Sequence, residues 1–209
     1  PDAWCGPATL HAERLLTEIH ANYIAAGAEV ITANTYASSR LMLSLGGYGD
    51  QVEEINRRAV EAALRARDAV SRSTSVVVAG SLSHMVPLSE GTVMEDSGKL
   101  PNDVEIAAAY HELARILAAS GCQLIILEMM YHPKRVRLAL DAALSTGLPV
   151  WFGLSARKAK NGALTSYLQT EELPFGEIAK LIPDKGIDAA GVMHSGAQLV
   201  IEALQSVQQ

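Results

Sequence analysis

The chain has no cluster of lysine and arginine, and its net charge is -6. Phosphate backbones are held by grouped basic side chains, so a nucleic-acid partner is excluded. Only two cysteines occur, Cys5 and Cys122, far apart and without a Cys-x-x-Cys pair. Neither a disulfide framework nor a local thiolate metal site is encoded by that spacing, and reducing, cytoplasmic conditions suit it. No apolar run approaches the roughly 20 residues that span a bilayer, and no basic-then-apolar leader opens the sequence, so a soluble protein without a membrane partner is expected. The glycine-rich GGYG stretch lacks the lysine of a P-loop and the spacing of a dinucleotide turn, which excludes a phosphate cradle there.

What remains is ordinary globular composition, 49% apolar and 19% charged over 209 residues. Such a length buries one sizeable core, so residues 1–209 read as a single domain. The chain opens at Pro1 without a methionine and stops inside a helical pattern, so flanking segments are expected.

The organising stretch is AAGAEVITANTY, Ala25 to Tyr36. It reads as a helix end, a glycine turn, a buried strand over Ala28 to Ala33, and a polar tip of Asn34, Thr35 and Tyr36. The same form recurs in ASGCQLI, STGLPVW and DKGIDAAG. Apolar positions at three- and four-residue steps predict helices over Thr9–Ala26 and Gln51–Arg72, with a short one over Ala37–Leu45. Strands are predicted over Ser75–Gly80, Gln123–Met129, Pro149–Leu154 and Asp188–Met193. Helices are expected after Asn102 or Asp103 as cap, over Pro133–Ser145, over Leu173–Ile182, and from Ala197 towards Val207. The connection from Met85 to Pro101 is long enough for a functional lid.

Alternating helix and strand with short glycine turns means parallel strands with right-handed crossovers. A segment of an eight-stranded (β/α)8 TIM barrel and an open doubly wound parallel sheet both satisfy this α/β pattern. In either fold, ligands sit beyond the carboxyl ends of the strands.

Those ends collect Asn34, Thr35, Ser81, His84, Glu128, His132, Ser155, His194 and Ser195. A histidine in such a loop is ordinarily just solvated, and Asn or Thr there ordinarily caps a helix. Glu128 is sharper. A carboxylate closing a run as apolar as LIIL is costly to bury unpaired, so it needs a cation or strong donors beside it: an Arg or Lys such as Arg157, or, on the functional reading, a substrate ammonium. Cys122, at the amino end of its strand, reads as core, as do Met129 and Met130.

At these positions the chain resembles the homocysteine S-methyltransferase family. AGAEVITANTYASS is similar to that family's Gly-Ala-Asp-hydrophobic-Thr-Asn-Thr-Tyr segment, VAGSLS to its Ala-Gly-Ser-Leu-Gly stretch, and ILEM to its Glu-Thr strand end. PVWFGLSARKAKNGAL is similar to its strand and Asp-Gly loop, and AAGVMHS falls where it has Gly-x-Asn-Cys. The resemblance implies a (β/α)8 barrel, of which this chain covers about five of eight βα units. It implies methyl transfer from a sulfonium, betaine-like or folate donor to a zinc-bound homocysteine thiolate, as in methionine biosynthesis. By the same carry-over Glu128 holds the amino group of homocysteine, and Asn34, Thr35 and Ser81 line the pocket. The chain departs from the family pattern where the first zinc cysteine becomes His194 and the Asn before it becomes Met193. The Gly-Gly-Cys-Cys pair that supplies the other thiolates is expected beyond Gln209, and the Ser-Leu-Gly-Pro segment is changed to SLSHMVP.

His194 is then expected either to ligate zinc as imidazole or to act as general base on the acceptor. Two other readings stay open: a metal-dependent hydrolase or lyase using His84, Glu128, His132 and His194, and a non-catalytic amino-acid-binding relative. The expected partners are a small amino-acid thiol and a methyl donor, and a homo-oligomer is compatible with the sequence.

Overall fold

The structure, a computed structural model, describes residues 3–70, 76–89, 95–96 and 98–207. The first predicted helix is two: α1, Ala8–His11, and α2, Glu13–Ala25, separated at Ala12, whose φ of -135° is not helical. Strand β1, Val30–Thr32, follows. Then come the short α3, Arg40–Leu43, and the long α4, Val52–Ala69. Next are β2, Val77–Ser83; α5, Asp103–Ala119; β3, Leu124–Met130; α6, Pro133–Leu144; and β4, Val150–Leu154. A hairpin of β5, Ala156–Lys158, and β6, Leu164–Ser166, precedes α7, Phe175–Ala179, β7, Ala189–Val192, and α8, Val200–Val207. The predicted first residue of the second strand, Ser75, and the end of the predicted second helix lie outside the described residues. So do residues 90–94 and 97 of the long connection.

Five strands form one parallel sheet in the order β1-β2-β3-β4-β7. Spatial order equals chain order, as in a barrel wall. A doubly wound sheet reverses direction at a switch point, so that alternative is set aside. The four predicted joins all turn on a glycine with left-handed backbone: Gly27, Gly121, Gly147 and Gly186. Each lets a helix end and the next strand begin within a few residues, without the steric cost a Cβ would impose at that φ.

Packing explains the sequence pattern. β2 is buried along nearly its whole length, and a Cβ on its Gly80 would stand 2.9 Å from Leu117 of α5, so glycine there sets how closely the helix approaches the sheet. The α5 cap is Asn102: its side-chain oxygen accepts from the backbone N–H groups of Val104 and Glu105, while Glu105 accepts from the Asn102 N–H. That reciprocal pair satisfies donors the helix itself cannot. α2 is tied to α4 by Glu13, which takes both Arg58 and Arg65. The Arg58 hydrogen bond, with the two positive charges, holds the Glu13 carboxyl below its usual range.

The helix predicted over Leu173–Ile182 is shorter because its first residues belong to the hairpin. The Ser166 N–H donates to the Leu173 carbonyl, and Thr165 bridges Pro174. Among the described residues no helix is long and apolar enough to cross a membrane.

Candidate functional site

The polar tips of β1 and β2 are joined by Thr35. Its buried hydroxyl accepts from the Ser81 N–H and donates to the Ser81 carbonyl, both at 2.9 Å. Ser81 is thereby fixed, and its own hydroxyl donates to Glu128 Oε2 at 2.5 Å. Asn34 turns towards the amino-terminal segment, donating to the Cys5 carbonyl at 3.0 Å and to Thr9 Oγ1 at 3.4 Å, and accepting from Cys5 Sγ. None of Asn34, Thr35 and Ser81 is among the side chains lining the cavity described next: Asn34 is held by Cys5 and Thr9, Thr35 by the Ser81 backbone, and Ser81 by Thr35 and Glu128.

That cavity, of about 470 Å³, opens at the carboxyl ends of the sheet. Glu128 and His194 both line it, with Trp4, Tyr36, Met129, Tyr131, Tyr167 and Met193 among their neighbours. Glu128 and Met129 are consecutive, and in a regular strand they would face opposite sides. A register shift between Leu127 and Met130, with Met129 at φ 62°, brings both into the same cavity. Bulges of this kind re-aim side chains next to sites. Met129, expected to be core, is therefore on the wall; Met130 and Cys122 are buried as expected. Burial pushes the Cys122 thiol up to about 12.

On the far side, His194 also has left-handed backbone, φ 47°. The carbonyl before it, that of Met193, accepts from the hydroxyls of Ser155 and Ser195 at 3.0 and 2.9 Å, and the Ala156 N–H donates to Ser195 Oγ. These bonds tie the ends of β4 and β7 together and hold the His194 turn. The His194 ring meets Tyr167 edge-on, with centroids 5.0 Å apart, and Tyr167 in turn neighbours Tyr131 at 5.9 Å. Trp4 stands 6.4 Å from Tyr36, whose phenol is raised well above its usual range, first by burial and then by the charges of Tyr131, Glu128 and Tyr167.

Arg157 is not the partner of Glu128. Its guanidinium donates to the Leu168 carbonyl at 3.0 and 2.7 Å and to the Glu171 carbonyl at 3.2 Å. Among the described residues no cationic side chain pairs with Glu128, which is half-buried. His84 is also spent structurally: its Nε2 accepts from the backbone N–H groups of Tyr131 and His132 at 2.9 and 3.2 Å. Accepting there requires the neutral ring. Burial first, then the positive charges of Arg135 and His132, depress its pKa well below the usual value. Burial likewise lowers His132. His84, Glu128, His132 and His194 do not gather as ligands, and no group of three His, Cys, Asp or Glu side chains among the described residues is placed to hold a metal. The hydrolase or lyase alternative therefore lacks its metal site here.

The aromatic wall was not legible as a site. Tyr131 and Tyr167 follow strands in loops, and Tyr167 is placed by the β5–β6 hairpin. Asn161-Gly162, the turn of that hairpin, is the signal that could have found it.

A family model described as homocysteine S-methyltransferase matches residues 1–208. The chain is 23% identical to homocysteine S-methyltransferase 4 of Zea mays over 219 residues, covering 98% of this chain and 62% of that protein. It is 24% identical to the selenocysteine methyltransferase of Astragalus bisulcatus over 182 residues, covering 76% and 53%. The chain thus spans less than two thirds of these relatives' length. The metallated form of the homocysteine methyltransferase MmuM from Escherichia coli superposes with a TM-score of 0.77 at 19% identity, over 98% of this chain and 71% of that one. That likeness carries the fold: a barrel wall of βα units. On the cavity wall His194 and Glu128 stand beside thioethers and tyrosines, and among the described residues no three His, Cys, Asp or Glu side chains are placed to hold a metal. With five parallel strands in barrel order and a family match running from end to end, the chain belongs to the homocysteine S-methyltransferase family.

Proposed function

We propose that the protein transfers a methyl group to homocysteine or a related amino-acid thiol, with this chain carrying the acceptor pocket. One observation supports the reading above the others: Glu128 is a half-buried carboxylate on the cavity wall, oriented by Ser81 and left without a cationic partner among the described residues. A half-buried carboxylate with one oxygen left facing the cavity suits a cation, and the ammonium of an amino acid supplies one. Ser81 occupies Oε2 and leaves Oε1 for the ligand.

Four aromatic rings and one carboxylate give the cavity an electron-rich lining. Ring faces attract cations, which favours a sulfonium or betaine-like donor over a folate. His194, exposed at the same cavity, is the group to take the thiol proton. As the proton passes to the imidazole, the sulfur electron pair forms the new carbon–sulfur bond. The donor's carbon–heteroatom bond breaks, and its electrons stay on the departing neutral thioether or amine. At pH 7 a free thiol is a few per cent ionised, so complete ionisation is worth roughly 30-fold, or about 2 kcal/mol. Aligning donor and acceptor is worth about 7–11 kcal/mol, so the walls of the cavity matter more than the base. The reaction makes methionine from homocysteine, and the free thiols Cys5 and Cys122 suit a reducing cytoplasm.

Calorimetry with homocysteine and with 4-mercaptobutanoate, which lacks the amino group, tests the acceptor assignment. The protein should prefer homocysteine, and Glu128→Gln should remove the preference. A charged hydrogen bond of about 1.5–3 kcal/mol predicts a loss of roughly 10- to 150-fold. Equal binding of both thiols by the unaltered protein would sink the assignment. Mass spectrometry of methionine formed from a methylsulfonium amino acid, glycine betaine or a methylfolate then reads the donor. Tight binding with no product from any of them would identify a non-catalytic relative instead.

A further inference from the structure

Two residues of β3, Glu128 and Met129, stand opposite the single residue Gly153 of β4, since the register passes from Leu127–Phe152 directly to Met130–Leu154. A bulge of this kind breaks the ladder at its extra residue. Here the Met129 N–H donates to the Met193 sulfur, at 3.1 Å. Met193 follows β7, which is separated from β3 by β4, so its side chain has to cross the intervening strand. It crosses at Gly153, where a Cβ would collide with the Met193 sulfur and stand 3.0 Å from its Cγ. Bulge, glycine and thioether thus meet at one point of the sheet.

That point joins the two groups on which the methyl-transfer reading depends. Glu128 immediately precedes Met129, and His194 immediately follows Met193. Met129 and His194 both have left-handed backbone, at φ 62° and 47°, which residues other than glycine keep only where the surrounding structure enforces it. The enforcing contacts are present on both sides. The Met193 carbonyl accepts from the Ser155 and Ser195 hydroxyls at 3.0 and 2.9 Å, and the Met129 sulfur accepts from the Tyr36 O–H at 3.0 Å. Resting on the reading of Glu128 as ammonium site and His194 as base, we propose that Met193 is a positioning residue. Its thioether, bonded across Gly153 to the Met129 N–H, holds the bulge that aims Glu128 and the turn that aims His194 in one fixed relation. Ammonium binding and thiol deprotonation are thereby aligned through a single side chain.

Two substitutions test this. Met193→Leu places a carbon, and Met193→Asn an oxygen, at the same number of bonds from the backbone as the sulfur, so only the second keeps an acceptor for the Met129 N–H. Hydrogen exchange of the Met129 amide, read by NMR without any ligand, should be faster by about fivefold or more in the Leu variant, the worth of one modest hydrogen bond, and close to the unaltered rate in the Asn variant. The Glu128 and His194 resonances should move together in the first and return in the second. Calorimetry should show the preference for homocysteine over 4-mercaptobutanoate reduced by about the same factor in Met193→Leu and restored in Met193→Asn. Cys122→Ala, a core change beside the amino end of β3, controls for lost stability: it should lower the urea midpoint and leave both readouts as they are. An unaltered Met129 exchange rate in Met193→Leu, or a homocysteine preference that survives there or fails to return with Asn, overturns the proposal alone. Equal binding of both thiols by the unaltered protein overturns the acceptor reading and the proposal with it.

Discussion

Replacing His84 should destabilise the fold and flatten its response to acid. In His84→Leu the Tyr131 and His132 backbone N–H groups lose their shared acceptor, which lies 2.9 and 3.2 Å away in the native protein. An unsatisfied buried donor costs about 1–3 kcal/mol, so the two together cost about 2–6 kcal/mol. With a urea m-value of about 2 kcal/mol/M, the midpoint should fall by about 1–3 M. The pH dependence follows from linkage. The native ring is kept neutral, its pKa well below the ordinary 6.5, while in the unfolded chain it takes up a proton near 6.5. The unfolded state therefore binds more protons just below that pH, and stability rises with pH in this window. The contribution is fully present above 6.5 and is lost as the pH falls towards the native value, at up to about 1.4 kcal/mol per pH unit. His20 and His132, both lowered by burial, act in the same direction and remain in the variant. His84→Gln separates the two effects, because its side-chain oxygen can accept where Nε2 did but does not titrate. Urea unfolding followed by circular dichroism between pH 5 and 7.5 reads both. The Leu variant should lose stability and the His84 share of the slope; the Gln variant should regain stability and keep the same reduced slope. If both variants keep the acid slope of the unaltered protein, the assignment of His84 as a neutral strap is wrong.

Gly153→Ala places a Cβ against the Met193 sulfur and should cost about 1–3 kcal/mol by overpacking, measured as a lower urea midpoint, with weaker ligand binding because His194 follows Met193 directly. Thr35→Val keeps the shape but strips both hydrogen bonds from the Ser81 backbone, and thermal unfolding should report a loss of about 1–3 kcal/mol for each group left unpaired. A disulfide-exchange reagent should label one thiol of the native protein at once, the exposed Cys5. Cys122, buried and with its pKa raised to about 12, should react only on unfolding, and rapid labelling of both thiols would contradict its place in the core.

The frame of the molecule was readable because helix ends, glycine turns and buried strands each leave a local trace. All four helix–glycine–strand joins turn on the predicted residue, and Asn102 caps the helix it precedes. Glu128 was readable because a charge at the end of so apolar a run needs an explanation. Where the sequence misled, the deciding contact lay elsewhere in the chain. Whether Met129 faces the core or the cavity depends on a one-residue bulge, and a shift of one residue exchanges the two faces of a strand. Asn34 and Thr35 have the composition of pocket residues, yet what they bond was set by Cys5, Thr9 and Ser81, between 25 and 46 residues away.

The relay from Thr35 to Glu128 removes the simple division between structural and functional polar residues. Thr35 holds the Ser81 backbone by both its N–H and its carbonyl, the Ser81 hydroxyl holds Glu128, and the register shift in β3 lets that carboxylate share a wall with Met129. Three adjacent strands thus fix the position of one charge, through side chains of which only the last meets the cavity. A carboxylate attached in this way keeps one oxygen facing the cavity, already oriented towards any positive group that enters. On the proposed reading Thr35 contributes to binding through Ser81 and Glu128, one strand removed from the cavity.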